Sequence, residues 1–142
     1  KNKKIDFDYL ALLQPTSPLR NYKDINSCIN LIKKYKPLSL FTVSKSIEHP
    51  FETIKILSKK KWNYIIKRKK EINRRQDFKI KSYFENGSIY FIHKKLIKQK
   101  RVYCTNNHFC FETSKVRSFD INDRDDLKIC ESLLKRLKNQ YY

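Results

Sequence analysis

Apolar and polar positions divide the chain into short blocks of distinct period. Tyr9-Leu10-Ala11-Leu12-Leu13 is an unbroken apolar run, and Gln14-Pro15-Thr16-Ser17-Pro18 stops it. A run of this length predicts a strand buried on both faces that ends in a stiff loop. Asn21 stands three residues before Asp24, the pattern of a helix N-cap with a capping-box partner. Ile25, Cys28, Ile29 and Ile32 then recur at helical spacing, which predicts a helix to about Tyr35, ended by Pro37. Leu38 to Ser44 reads as the next strand. Strand, helix and strand in this order predict a βαβ unit in a parallel sheet, and so an α/β fold.

The middle of the chain follows a different pattern. Thr53 to Leu57 and Trp62 to Ile66 flank a Lys-rich turn and predict a β-hairpin, and residues 67–82 are polar and irregular. Phe84 to Ile92 predicts a strand and Lys94 to Lys98 a short helix. Val102 to Cys104 reads as a further strand, whereas Phe109-Cys110-Phe111 is too short to assign. Phe119-Asp120-Ile121 reads as a short strand before a last helix capped by Asn122 or Asp123. That helix carries the stripe Leu127, Cys130, Leu134 and Leu137. Asp125 and Asp126 in its first turn and Lys135, Arg136 and Lys138 in its last suit the helix dipole. The 142 residues are read as one domain, with an insert at about 50–85.

Charge changes the picture only in part. Lys and Arg number 33 against 14 Asp and Glu, a net +19, which attracts polyanions. Yet the cations are spread along the whole chain, with one Ala and one Gly, as the codon bias of an AT-rich genome would write it. That reading is preferred to a dedicated nucleic-acid surface, although Trp62 and Tyr64 lie between the clusters Lys59-Lys60-Lys61 and Lys67-Arg68-Lys69-Lys70. No apolar run reaches the roughly 20 residues of a membrane helix. The four cysteines form no CxxC and no disulfide framework. Cys104, His108 and Cys110 match no common zinc spacing. Reduced thiols and a cytoplasmic location are expected.

Four segments carry chemistry: Leu12-Leu13-Gln14-Pro15-Thr16-Ser17-Pro18-Leu19-Arg20, then His49-Pro50, then Arg74-Arg75-Gln76-Asp77 leading to Asn86-Gly87-Ser88-Ile89-Tyr90, and Ser118-Phe119-Asp120-Ile121-Asn122. In this order they resemble the CMP-sialic-acid synthetase (acylneuraminate cytidylyltransferase) family, over roughly Ala11 to Leu134. The resemblance implies a partial Rossmann-like nucleotidyltransferase sheet with an inserted hairpin used for homodimerisation. It implies a Mg²⁺-dependent reaction of CTP with a nine-carbon 2-keto sugar acid, giving the CMP-sugar and pyrophosphate. Sialic, legionaminic and pseudaminic acids are the candidate sugars. Kdo is disfavoured, because Gln14-Pro15-Thr16-Ser17-Pro18 stands where Kdo-activating relatives carry an acidic Q-G-D-E-P pattern.

By the same resemblance, Gln14, Asn86 and Tyr90 contact the sugar, and Arg75 and Gln76 reach the partner subunit's site. Asp120 and the residue at Asn122 hold the metal, so Asp120 and Arg75 are the expected catalytic residues. An oxygen-only ligand set suits Mg²⁺, and a guanidinium suits the sugar carboxylate. Considered without the family, Asp120 serves equally well as a helix cap, Arg75 as a solvated cation, Asn86-Gly87 as a turn and Tyr90 as a half-buried strand residue. The chain departs from the family at three places. Asn122 replaces a metal-binding Asp, Phe84 stands where many relatives have Arg, and the R-x-G-S-K-like phosphate loop is absent from these residues. The chain is therefore expected to be the C-terminal part of such an enzyme and to be inactive alone. The alternatives are a basic nucleic-acid-binding module and a non-catalytic remnant that only dimerises.

Overall fold

The computed structural model describes residues 6–67, 74–99 and 107–141. The chain forms two compact units, one of Lys1–Ser44 with Glu85–Tyr142 and one of Lys45–Phe84. The first is a mixed α/β unit. Its strands are β1 (Tyr9–Leu13), β2 (Ser39–Lys45), β5 (Tyr83–His93) and β6 (His108–Glu112), in the sheet order β1-β5-β2-β6. Its helices are α1 (Tyr22–Tyr35), α2 (Lys94–Lys98) and α3 (Arg124–Tyr141).

The sheet is mixed, which corrects the parallel sheet expected from the strand–helix–strand pattern. β5 lies between β1 and β2 and runs antiparallel to β1, pairing Tyr9 with His93 and Leu13 with Ile89. β2 and β6 are parallel, with Ser39 opposite His108 and Val43 opposite Glu112. Local period reports that a strand exists; the identity of its neighbour is settled by residues about eighty positions away.

Helix α1 forms as its stripe predicts. Asn21 caps it, accepting from the Asp24 N–H at 2.9 Å, and Lys36 ends it in a left-handed conformation ahead of Pro37. Cys28 and Ile32 bury the apolar side against Leu40, Ile89 and Phe91, with Ile25, Ile29 and Phe111 around them. The thiol of Cys28 is pushed up to about 12, chiefly by burial and further by the nearby Asp24 carboxylate. Asp24 does not complete a capping box. Its carboxylate takes the Arg117 Nε–H instead, at 2.8 and 3.2 Å.

Two further expectations are corrected. β1 is not buried on both faces: Leu10, Leu12 and Leu13 are exposed, and among the described residues β1 is the end strand of the sheet, paired with β5 alone. Residues 119–121 are not a strand. They make a single backbone bond to the first unit's loop, Ile121 N–H to Thr16 O at 2.9 Å, and a lone bond builds no ladder. The segment too short to assign at Phe109–Phe111 is the centre of β6. The strand expected at Val102–Cys104, and with it Cys104 of the Cys104, His108 and Cys110 group, lies outside the described residues.

The second unit holds the predicted hairpin, β3 (Ile54–Ile56) and β4 (Trp62–Tyr64), paired antiparallel with Ile56 opposite Trp62. Lys59 and Lys60 turn it with φ of 57° and 62°. All six strand residues are exposed. Order in this unit comes from His49. Its Nδ1 accepts from the Phe51 N–H at 3.3 Å, so the proton sits on Nε2, which donates to Ile80 O at 3.0 Å. The ring stacks on Phe78 with centroids 4.2 Å apart. Among the described residues no helix is long and apolar enough to cross a membrane.

Candidate functional site

The carboxyl end of β1 leads straight into the first candidate residue. Gln14 follows Leu13, and the two-proline loop after it folds back on itself through Ser17 N–H to Gln14 O at 3.3 Å and Arg20 N–H to Ser17 O at 3.4 Å. Ser17 and Leu19 are fully buried, so the loop is packed into the unit. The Arg20 guanidinium locks it from the side. Its Nη1 donates to Gln14 O at 3.1 Å and to Ser88 O at 2.6 Å, tying the loop to β5. Burial lowers the pKa of this guanidinium from its ordinary value.

Gly87 lies beside the Gln14 amide. Its φ is +71°, and a Cβ there would sit 2.8 Å from Gln14 Oε1. Only glycine meets both conditions without strain. Its neighbour Asn86 is buried and bonded on both sides of its amide. Oδ1 accepts from Thr42 Oγ1 at 2.7 Å and from the Ser88 N–H at 3.2 Å, while Nδ2 donates to Thr113 Oγ1 at 2.8 Å. Thr42 Oγ1 in turn accepts from the Ile89 N–H at 3.0 Å. One amide thus joins β5, β2 and the residue after β6. It positions Gly87 and Ser88, and most of its polar capacity is spent inside the unit.

Asp120 reaches the same loop. Ser17 Oγ donates to Asp120 Oδ1 at 3.3 Å, next to the Thr16–Ile121 backbone bond. Asp120 is not the cap of α3. Asp123 is, with its Oδ1 accepting from the N–H groups of Asp125 and Asp126 at 2.9 Å each. Asn122 is exposed, and its N–H donates to Asp126 Oδ2 at 3.0 Å. Among the described residues no three His, Cys, Asp or Glu side chains gather as a metal cage. A Mg²⁺ ion would not need such a cage, because it keeps several waters and relies on one or two carboxylates plus substrate phosphates. Asp120 would be its protein anion, and Asn122 would add only a neutral oxygen. No protein-family model matches the chain, and no curated protein matches it.

The structure therefore places Gln14 beside Gly87, the neighbour of Asn86, and ties Asp120 to the same loop through Ser17. Tyr90 lies on β5 opposite Leu12, nearly buried, its hydroxyl donating to Glu85 Oε1 at 2.7 Å. Gln76 belongs to the second unit, exposed in a short 3-10 turn over Arg75–Asp77. The side chain of Arg75 lies outside the described residues. The nearby Arg74 pairs with Asp77 at 3.2 Å on the surface. A pocket of about 280 Å³ in that unit, lined by His49, Phe78, Lys45 and Lys81 among others, contains none of the expected site residues. Sequence reasoning missed Ser17, Arg20, Thr42 and Thr113. Ser17 and Arg20 stand inside the proline loop motif and were open to notice. Thr42 and Thr113 carry no local signal, since an ordinary strand Thr looks the same.

Proposed function

We propose that the chain is the sugar-binding and metal-binding part of a cytidylyltransferase that activates a sialic acid or a related nonulosonic acid, with a Rossmann-like nucleotidyltransferase sheet. The observation that carries this reading is the place of Asp120. Asp123 caps the helix, so the mundane role for Asp120 is already filled. Its carboxylate is instead held against the loop that follows β1. In open α/β sheets that position, beyond the carboxyl end of a strand, is where ligands bind.

In this reading Gln14 offers its amide to the hydroxyl and N-acyl groups of the sugar, against a wall that Gly87 keeps low and Asn86 keeps rigid. The anomeric oxygen forms a bond to the α-phosphorus of CTP, the bond to the β-phosphate oxygen breaks, and the hydroxyl proton is lost as pyrophosphate leaves. Mg²⁺ on Asp120 would supply neutralisation of the phosphate charge. Arg75 and Gln76 act on the partner subunit's site in a homodimer built through the exposed hairpin. The same hairpin supports a second reading, a single-stranded nucleic-acid platform, because Trp62 and Tyr64 lie edge to face at 5.0 Å among lysines. Binding of a random oligonucleotide that weakens steeply with salt would favour it.

The test compares two aspartates. The protein at its full natural length is given CTP, Mg²⁺ and N-acetylneuraminate, legionaminate or pseudaminate, and pyrophosphate is followed. Asp120→Asn is expected to lose about 100-fold or more in turnover with little change in melting temperature. Asp123→Asn is expected to cost at most about 1 kcal/mol of stability and to keep its turnover. Equal turnover in Asp120→Asn and wild type, or no pyrophosphate with any of the three sugars, overturns the reading.

A further inference from the structure

The Arg20 guanidinium has a free edge that no role above uses. Its protein partners are two backbone carbonyls, those of Gln14 and Ser88, and both bind Nη1. Among the described residues no carboxylate pairs with it, although it is only partly exposed. Among the described residues Ser44 Oγ is the one buried side-chain nitrogen or oxygen that lacks a partner. Nε and Nη2 of Arg20 are therefore unbonded and open to solvent. Cations withdrawn from water are ordinarily paired with an anion. Here the counter-charge is missing while the group is already immobilised, so little entropy is lost when one arrives.

The free atoms are the right ones. Nε and Nη2 form one straight edge of the guanidinium, the edge that matches two oxygens of a carboxylate or phosphate in parallel bonds. With Nη1 fixed by carbonyls from two segments, the plane of the group is set. The same segments place the Gln14 amide against Gly87.

We propose that the Nε–Nη2 edge of Arg20 is an oxyanion-binding site, taking two oxygens of one carboxylate or phosphate group of a ligand seated beside Gln14 and Gly87. This goes beyond the cytidylyltransferase reading and does not depend on it, since any ligand bearing such a group would serve.

The test is an NMR titration of the 142-residue chain. Gly87 is the only glycine, so its amide is readily found, and the Arg20 Nε–H is assigned by its absence in Arg20→Lys. Inorganic phosphate and pyruvate are added separately, with NaCl at matched ionic strength as control. A saturable shift of both signals is expected with one anion or both, and the two arms tell phosphate from carboxylate. Arg20→Lys keeps the charge but loses the fork, and the Gly87 shift is expected to need about tenfold more anion. Arg20→Gln is expected to abolish it. Where neither variant folds, the wild-type titration decides. No movement of the Arg20 and Gly87 signals with either anion overturns the proposal. So does a scatter of shifts near lysines that NaCl reproduces and Arg20→Lys leaves unchanged. Neither readout involves CTP, so a failure of nucleotidyl transfer and a failure of this site are separate results.

Discussion

Ile89 and Ile56 are the same residue in the same kind of element, yet Ile89 is 0% exposed and Ile56 is 79% exposed. The first lies in the four-stranded sheet, where α1 lays Cys28 and Ile32 over it. The second lies in the β3–β4 hairpin, for which the described residues of its unit supply no second layer. Two strands alone bury too little to be stable in water. The hairpin instead leaves Ile54, Ile56, Trp62 and Tyr64 in the open, and its unit is held by the His49, Phe51 and Phe78 rings beside it. Apolar residues thus make a strand in both places. Only a covering layer turns one into core.

The sharpest way to break this comparison is a matched pair of truncations. Ile89→Ala is expected to cost about 2–5 kcal/mol, because the rigid surroundings leave a cavity. Ile56→Ala is expected to stay within about 0.5 kcal/mol. Urea midpoints followed by circular dichroism measure both. Equal losses would mean that the hairpin is covered in solution by another surface, as the homodimer proposal requires.

A smaller effect sharpens the account of the site in the sheet unit. Gly87→Ala is expected to cost about 1–3 kcal/mol, from its positive φ and from contact with Gln14. The double variant Gln14→Ala with Gly87→Ala separates the two causes. It recovers the contact part and leaves the backbone part, so complete additivity in denaturant titrations would show that Gln14 does not touch this position.

The smallest effect is a pH dependence. His108 on β6 approaches the Ser39 hydroxyl, and burial lowers its pKa below the ordinary 6.5, against a smaller opposing pull from Glu85. The unfolded chain then binds a proton that the folded chain resists. Its neutral ring therefore carries its full stability above about pH 6.5, and that stability falls as pH drops through 6.5 towards the folded value. His108→Gln should flatten this limb in melting curves between pH 5 and pH 7, roughly the range where imidazole titrates. An unchanged slope would remove His108 from the account.

What the sequence made legible follows from how local each signal is. The Asn21 cap, the α1 stripe, the hairpin and the Lys94–Lys98 helix depend on neighbours a few positions apart, and all were readable. The order of strands was not, because the β1–β5 pairing joins Tyr9 to His93. Exposure of β1 was misread for a related reason. The run Tyr9-Leu10-Ala11-Leu12-Leu13 states an appetite for cover on both faces, and cover is a property of other elements. At the site, Gln14 and Asp120 stood out through their motifs. Asn86 was expected to face a ligand, while its amide is largely engaged by Thr42, Ser88 and Thr113, three partners that no spacing rule connects. Asp24 was matched to the cap beside it, but a part-buried pair with Arg117, 93 positions away, takes its carboxylate.

The bonds that shape the candidate site have a consequence for how the chain is made. Arg20 meets Ser88 across 68 positions, and Ser17 meets Asp120 across 103. Contacts of such separation form late, because the intervening chain must first be closed into loops. Synthesis proceeds at about 5–20 residues per second, so Ser17 is added to the chain roughly 5–20 s before Asp120. Until Tyr83–His93 of β5 has been made, the apolar β1 segment lacks its strand partner, and a nascent chain in this state is a natural client for a chaperone that shields hydrophobic stretches during translation.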